Sequence, residues 1–244
     1  MTSHATLIIG ANSEIAKAIA AQVINNDTVQ LIVISRDCSF YQQDKFADAQ
    51  LITLENYQEQ TISQAVETLK ANMPIVITQV FICHGILHNE RCQPEKRLED
   101  FSADMFIETL TANTVTPMLW LKHLTPLLAT KHECKVVIFS ARVGSISNNK
   151  LGGWYSYRAS KAAMNMLITS AAVELARRAK NMKLISFHPG TTDSPLSKPF
   201  QKNVPKGKLF NSEFVASRLL TIVASATIDG QASYLDWQGK EIPW

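Results

Sequence analysis

ATLIIGANSEIA, residues 5–16, is the stretch of this sequence that decides the fold. Its first five residues form an apolar run, as expected for a buried strand, and Gly10 then permits a tight turn. The next residues have the apolar spacing of a helix, with Ile15, Ala18 and Ile19 on one side. This strand–turn–helix unit predicts a sheet with helices packed on its faces.

The same alternation continues along the chain. Further strands are predicted at residues 30–34, 50–54, 76–83, 135–139, 183–187 and 233–235. Helices are predicted at residues 13–25, 59–71, 100–110, 116–129, 156–179 and 212–224, and Pro74 is expected to end the second of them. Strands that are apolar throughout and alternate with helices are typical of a parallel sheet covered on both faces. We therefore expect an α/β fold: a single doubly wound domain over residues 1–244 with a mostly seven-stranded parallel sheet.

Composition excludes several function classes. The chain has 244 residues, 46% hydrophobic and 18% charged, which is typical of a globular domain that folds without disulfides or metal. A net charge of +3 is too small to indicate nucleic-acid or membrane binding. The four cysteines form no CxxC motif, so no metal site is expected. No signal peptide and no long apolar run are recognisable, and we expect a cytoplasmic protein.

The turn after the first strand is suited to bind a phosphate group. The N-terminus of a helix presents free N–H groups and the positive end of the helix dipole. The residues expected to contact a cofactor there are Gly10, Asn12, Ser13, Glu14 and Ile15. Taken alone, this segment is equally compatible with a turn that binds no ligand.

Tyr157 and Lys161 are the candidate reactive pair. They are four residues apart in the helix predicted at 156–179, so both side chains lie on one face. A free tyrosine titrates near pH ~10. We expect the Lys161 ammonium to lower the pKa of Tyr157, which could then exchange a proton with an alcohol or a carbonyl oxygen.

Several motifs in order resemble the short-chain dehydrogenase/reductase family. They are the Gly10 turn, TANT at residues 111–114, GWYSYRASKAAMN at 153–165 and HPGT at 188–191. The third looks like the C-factor/sniffer-type carbonyl reductase branch in particular. The resemblance covers essentially residues 6–244 and implies a nicotinamide-dependent oxidoreductase acting on a small carbonyl or alcohol substrate.

The resemblance also implies roles for individual residues. Tyr157 would be the general acid/base, and Lys161 would lower its pKa and bind the nicotinamide ribose. Asn113 would support a water-mediated proton relay by shaping its helix. The residues that would line the nicotinamide pocket are Pro189, Gly190 and Thr191.

The expected assembly follows from the same resemblance. Family members pair through the helices that carry Asn113 and Tyr157, so a homodimer or homotetramer is expected. Separately, the Ser, Lys and Pro content of the segment at about 192–207 predicts a mobile loop, which is expected to close over the substrate.

The end of the second strand bears on the choice of nucleotide. Ser35 occupies the place where NAD-selective sites carry an acid, and Arg36 follows it. Because a guanidinium can bind a 2′-phosphate through paired N–H donors, we expect NADP(H) to be preferred over NAD(H). Two alternatives stay open: Arg36 could be a surface cation, or Asp37 could neutralise it.

The sequence departs from the family pattern at the catalytic serine. Ala141 occupies that place, in SARVG at residues 140–144. Ser140 is expected to point the other way if the strand continues. We therefore hypothesise that Ser145 swings in from the loop as the substitute. Since loss of such a donor can cost on the order of 10²–10³ in turnover, a dinucleotide-binding sensor with little turnover is the alternative function.

A second departure follows the fourth strand. Cys83, His84 and Gly85 stand where the family usually has Asn-Ala-Gly. Gly85 would still allow the backbone to approach a cofactor closely, and Cys83 would lie beside it. His84 is either a catalytic base or a side chain that fills space beside the adenosine or the sheet edge.

Overall fold

The structure is a computed structural model that describes residues 4–72, 75–91 and 93–244. Pro74, expected to end the second helix, lies outside these residues. The described residues form nine strands. They are β1 (His4–Ile9), β2 (Val29–Ser35), β3 (Gln50–Thr53), β4 (Val76–Ile82), β5 (Cys134–Phe139), β6 (Met182–His188), β7 (Thr191–Thr192), β8 (Leu209–Phe210) and β9 (Ala232–Asp236).

Seven strands form one parallel sheet in the order β3-β2-β1-β4-β5-β6-β9, while β7 and β8 pair separately. This confirms the expected doubly wound fold. The strand order reverses between β1 and β4. In doubly wound sheets, ligands bind outside the carboxyl ends of the strands at such a reversal. The topology therefore places the candidate site where Gly10 and Cys83 follow β1 and β4.

Six α-helices cover the sheet over the described residues. They are α1 (Glu14–Val23), α2 (Glu59–Ala71), α3 (Ala103–Leu110), α4 (Thr116–Leu128), α5 (Tyr155–Arg178) and α6 (Ser212–Ser225). The sequence predicted all six. It did not predict the π-helical turn Thr111–Val115, which joins α3 to α4.

Two hydrophobic cores hold these layers together. One face of the sheet packs against α2, α4 and α5, with Trp120 and Ile168 fully buried. The other packs against α1 and α6, where Ile19 and Leu219 are fully buried. Burying a large apolar side chain stabilises the folded state by roughly 1.5–3 kcal/mol. Helices packed on both faces therefore hold the strands, and with them the strand ends, in place.

The segment after β6 is more regular than expected. It contains the 3-10 helix Lys198–Asn203, and Phe200 in that helix packs edge-on to Trp154 with ring centroids 5.0 Å apart. The Ser197 hydroxyl also donates to the Thr192 carbonyl at 2.5 Å. The sequence predicted a loop here and missed this short helix, because the contact of Phe200 with Trp154 joins distant parts of the chain. The mobility expected of the segment stays a prediction.

Candidate active site

The N-cap of α1 lines a large cavity. Ser13 caps this helix, and its side chain accepts a hydrogen bond from the Ala16 N–H at 3.2 Å. Gly10 has φ +70, and a Cβ at this position would lie 3.0 Å from Nδ1 of His84. The cavity measures about 1230 Å³. Its lining includes Gly10, Asn12, Ser13, Ser35, Arg36, Asp37, Tyr57, Cys83, His84 and Gly85.

The carboxylate of Glu14 is compensated. Glu14 is the first residue of α1, and its carboxylate pairs with Nζ of Lys17 at 3.0 Å. This ion pair is partly exposed, since the two side chains are 43% and 21% accessible. Lys17 therefore partly offsets the negative charge that Glu14 places beside the N–H groups of α1.

Arg36 lies over an aromatic ring in the same cavity. Its guanidinium carbon is 5.0 Å from the centroid of Tyr57, a cation–π arrangement. Asp37 instead accepts hydrogen bonds from the Ser39 N–H at 2.9 Å and the Asn12 amide at 3.5 Å. The Ser39 N–H lowers the pKa of Asp37. Among the described residues Asp37 makes no ion pair with Arg36.

Asn113 joins three elements at the π-helical turn. Its side chain is fully buried. The amide donates to the Ile86 carbonyl at 2.9 Å and to the Ser160 hydroxyl at 3.0 Å, while Oδ1 accepts from the Ile86 N–H at 2.7 Å. Asn113 thus fixes the segment after β4 against α5. Its expected role in shaping its helix for a proton relay stays a prediction.

A second cavity of about 270 Å³ contains the reactive pair. Its lining includes Asn12, Ser13, Glu14, Ile15, Cys83, His84, Gly85, Phe139, Ser140, Tyr157, Lys161, Pro189, Ser194, Pro195 and Leu196. Because residues after β1 and β4 line both cavities, the two spaces adjoin. The Gly10 turn and the Tyr157–Lys161 pair therefore belong to one candidate site.

Lys161 is anchored to the end of β5. Its Nζ donates to the Phe139 carbonyl at 2.8 Å and lies 5.9 Å from the centroid of the Tyr157 ring. Lys161 is only 2% exposed. Burial lowers the pKa of Lys161 to about 7, because an ammonium loses hydration there.

The expected lowering of the pKa of Tyr157 was wrong. Burial raises the pKa of Tyr157 above its ordinary value, and the nearby phenol of Tyr234 raises it further. Tyr157 is 9% exposed. Desolvation of the phenolate is the main effect, and it favours the neutral, protonated phenol.

Ser145, the hypothesised substitute for the serine missing at Ala141, lies in its own turn and not on the wall of the Tyr157 cavity. Ser145 is 1% exposed, and its hydroxyl accepts from the Asn148 N–H at 3.3 Å within its own turn. Ser145 is not among the described residues that line the Tyr157 cavity, whereas Ser140 is. Because β5 ends at Phe139, strand alternation no longer directs Ser140 away. The Ser140 hydroxyl donates to Oδ1 of Asn165 at 2.9 Å.

His84 is packed as a neutral ring. It lies between Tyr57, with ring centroids 4.3 Å apart, and Trp120, at 6.4 Å. Burial, together with the charges of Arg36 and Lys161, lowers the pKa of His84 to about 3. So weak a base favours the space-filling interpretation over the catalytic one.

The three residues expected around the nicotinamide are not equivalent. Pro189 lines the Tyr157 cavity, whereas Gly190 and Thr191 are not among the described residues that do. Gly190 has φ +76, and a Cβ there would lie 2.7 Å from the ring of Phe210. Thr191 belongs to β7. Gly190 therefore allows the chain to turn beneath Phe210.

Three residues around the site were not predicted from the sequence. Tyr57 supports Arg36, Tyr234 lies close enough to raise the pKa of Tyr157, and Glu95 binds the start of α5. None belongs to a motif or to a strand end near the recognised motifs. Only the packing of distant segments brings them to the site.

Comparison with known proteins identifies the family. A family model described as short chain dehydrogenase matches residues 4–205. The chain therefore belongs to the short-chain dehydrogenase family, as the sequence motifs indicated.

Relatives and solved structures agree with this assignment. The 1-hydroxy-2-glutathionyl-2-methyl-3-butene dehydrogenase of Rhodococcus sp. (strain AD45) is 29% identical over 241 residues, 98% of each protein. The carbonyl reductase Sniffer of D. melanogaster has a TM-score of 0.83 at 18% identity, with both chains fully covered. An NADPH-bound carbonyl reductase from chicken fatty liver has a TM-score of 0.80 at 17% identity, again over both whole chains. Both structures share the fold of this chain.

Two structural features are absent from the described residues. These residues contain no helix that is both long and apolar enough to cross a membrane. They also contain no group of three or more histidine, cysteine or acidic side chains placed to hold a metal ion.

The expected homo-oligomer stays a prediction. Met166 and Val173 on α5 are 66% and 57% exposed.

Burial of Lys161 predicts a pH dependence of stability. Its pKa is about 7 in the folded protein but about 10.4 when unfolded, so within this window only the unfolded chain holds the proton. The free energy of unfolding should therefore rise with pH between about 7 and about 10 more steeply in the wild type than in Lys161→Met. Urea denaturation at several pH values measures this. The exposed Lys198→Met is the control, and parallel pH curves for wild type and Lys161→Met would contradict the prediction.

Proposed function

We propose that this protein is an NADP(H)-dependent oxidoreductase that interconverts a small carbonyl compound and its alcohol. The observation that carries the proposal is the single site in which Tyr157 and Lys161 line a cavity adjoining the N-terminus of α1. The activities in the names of the similar proteins, a dehydrogenase and carbonyl reductases, support the same chemistry.

The residues present fit a nicotinamide dinucleotide. A cavity of about 1230 Å³ begins at the Gly10 turn, whose positive φ and close packing exclude a side chain. Ser13 and the N–H groups at the start of α1 would hold the pyrophosphate. Arg36, supported by Tyr57, would hold the 2′-phosphate of NADP(H). Gly85 and Pro189 would lie beside the nicotinamide half.

Tyr157 would move the proton in this reaction. The bound cofactor supplies or accepts the hydride. During reduction, the neutral Tyr157 hydroxyl would donate its proton to the substrate oxygen, and the Lys161 ammonium would stabilise the phenolate that is left. Because its pKa is raised, Tyr157 would enter the reaction protonated, and it would donate once hydride transfer makes the substrate oxygen strongly basic. Asn113 would hold the segment at Ile86 while this occurs.

Ser140 would supply the hydroxyl that Ala141 lacks. It lines the cavity with Tyr157, whereas Ser145 does not. Its hydroxyl can rotate from Oδ1 of Asn165 toward a substrate oxygen, and Oδ1 keeps its second donor, the Ser186 hydroxyl, at 2.7 Å. This arrangement favours turnover over a role as a sensor that only binds a dinucleotide.

Tyr157→Phe tests the proton transfer. Removing the hydroxyl should lower kcat for NADPH-dependent reduction of aldehydes and ketones by about 10²–10⁴-fold, the usual contribution of general acid catalysis. Binding of NADPH, measured by fluorescence, should persist. Tyr155→Phe, on the same helix, is the matched control. Full activity in Tyr157→Phe would refute the assigned role.

Arg36→Gln tests the cofactor preference. Loss of charge-assisted hydrogen bonds to a phosphate should weaken NADPH binding by about 10- to 100-fold and change NADH binding little. The measurement is the Kd of each dinucleotide for wild type and variant. Arg178→Gln, exposed at the far end of α5, is the control. Equal losses for both dinucleotides would contradict a 2′-phosphate contact.

Ser140→Ala and Ser145→Ala distinguish the two serines. Ser140→Ala should lower kcat by on the order of 10²-fold, the cost of losing one donor to a developing oxyanion. Ser145→Ala should affect kcat little, since its hydroxyl serves its own turn. Steady-state kinetics with one ketone substrate compares them. The reverse order of effects would restore the earlier hypothesis for Ser145.

A further inference from the structure

Helix α5, which carries Tyr157 in its first turn, begins from a strained backbone. The three preceding residues, Gly152, Gly153 and Trp154, all have positive φ, of 65°, 64° and 53°. Trp154 alone among the described non-glycine residues has this conformation, which disfavours a residue with a Cβ. Trp154 is the N-cap, but its side chain accepts no hydrogen bond from the first N–H groups of the helix. The start of α5 therefore depends on a contact from outside the helix.

Glu95 supplies that contact from the segment between β4 and α3. Its backbone carbonyl accepts from the Trp154 N–H at 2.5 Å. Both carboxylate oxygens lie 3.2 Å from the Ser156 nitrogen, and the Ser156 hydroxyl also donates to the carboxylate. Glu95 and Ser156 are each 3% exposed. A buried carboxylate at this end of a helix is stabilised by the helix dipole and by charge-assisted hydrogen bonds.

This contact bears directly on Tyr157. Tyr157 follows Ser156, and both line the same small void as Glu95. The Tyr157 ring also packs edge-on to Trp154, with centroids 6.1 Å apart. Lys161, by contrast, is anchored to the Phe139 carbonyl. The two members of the reactive pair thus have different anchors, and the anchor of Tyr157 is Glu95.

We propose that Glu95 is a positioning residue, which fixes the first turn of α5 so that the Tyr157 hydroxyl stays in the cavity beside Lys161. The proposal rests on the function proposed above. Glu95 does not line that cavity among the described residues, so it acts through Ser156 and Trp154. Replacing Glu95 is therefore expected to affect the chemical step but not the binding of the cofactor phosphates at the N-terminus of α1.

The experiment compares Glu95→Ala, Glu95→Gln and the control Glu99→Ala, which changes an exposed carboxylate of the same segment. Misplacement of Tyr157 in Glu95→Ala should lower kcat by about 10- to 100-fold while the Kd of NADPH stays unchanged. Glu95→Gln keeps an acceptor for the Ser156 N–H and should restore most of kcat. A uniform loss of kcat, NADPH affinity and Tm would instead show a general structural role and overturn the inference.

A second readout is independent of turnover. In protein labelled with fluorotyrosine, the ¹⁹F resonance of Tyr157 is assigned by its loss in Tyr157→Phe. That resonance should shift or broaden in Glu95→Ala but not in Glu95→Gln or Glu99→Ala. An unchanged resonance in Glu95→Ala overturns the inference even if the enzyme is active. Absence of turnover in the wild type, with the resonance responding as expected, overturns only the proposed function. If Glu95→Ala does not fold, Glu95→Asp, which withdraws the carboxylate by one methylene, replaces it in both measurements.

Discussion

The parallel pairing of β1 with both β2 and β4 is the constraint on which the site depends. Because the chain crosses over in opposite directions from β1, a crevice opens at the carboxyl ends of β1 and β4. The phosphate turn at Gly10 and the segment at Cys83 begin there. Since β5 and β6 extend the same sheet, Ser140 and Pro189 emerge at the same edge. Segments more than a hundred residues apart thereby line one site.

Burial at that edge sets the electrostatics. It raises the pKa of Tyr157 and lowers that of Lys161 to about 7, because each charged form loses hydration. The same burial lowers the pKa of His84 to about 3. Both shifts favour the uncharged side chain, so the phenol of Tyr157 keeps its proton and Lys161 gives up its proton more readily than an exposed lysine. The expectation of a lowered tyrosine pKa considered the charge of Lys161 but not the desolvation of both groups.

Hydrogen bonds between elements hold the reacting groups at this edge. Asn113 ties the segment at Ile86 to Ser160 on α5, and Lys161 reaches back to Phe139 at the end of β5. Glu95 holds the first turn of the same helix. Each bond joins a side chain to a segment distant in sequence. The long helix α5 is therefore fixed against β4 and β5 at the end where Tyr157 lies.

The sequence by itself determined the seven strands of the parallel sheet, the six α-helices, the doubly wound fold and the family. Periodicity and short motifs are properties of neighbouring residues, so they can be read along the chain; the Tyr157–Lys161 spacing belongs to this class. Only the tertiary structure decided that Ser140, not Ser145, faces the cavity, that Tyr57 supports Arg36, and that Glu95 caps α5. It also decided the pKa directions. These contacts and pKa shifts depend on where a strand ends and on which distant segments exclude water. No local pattern in the sequence predicts either.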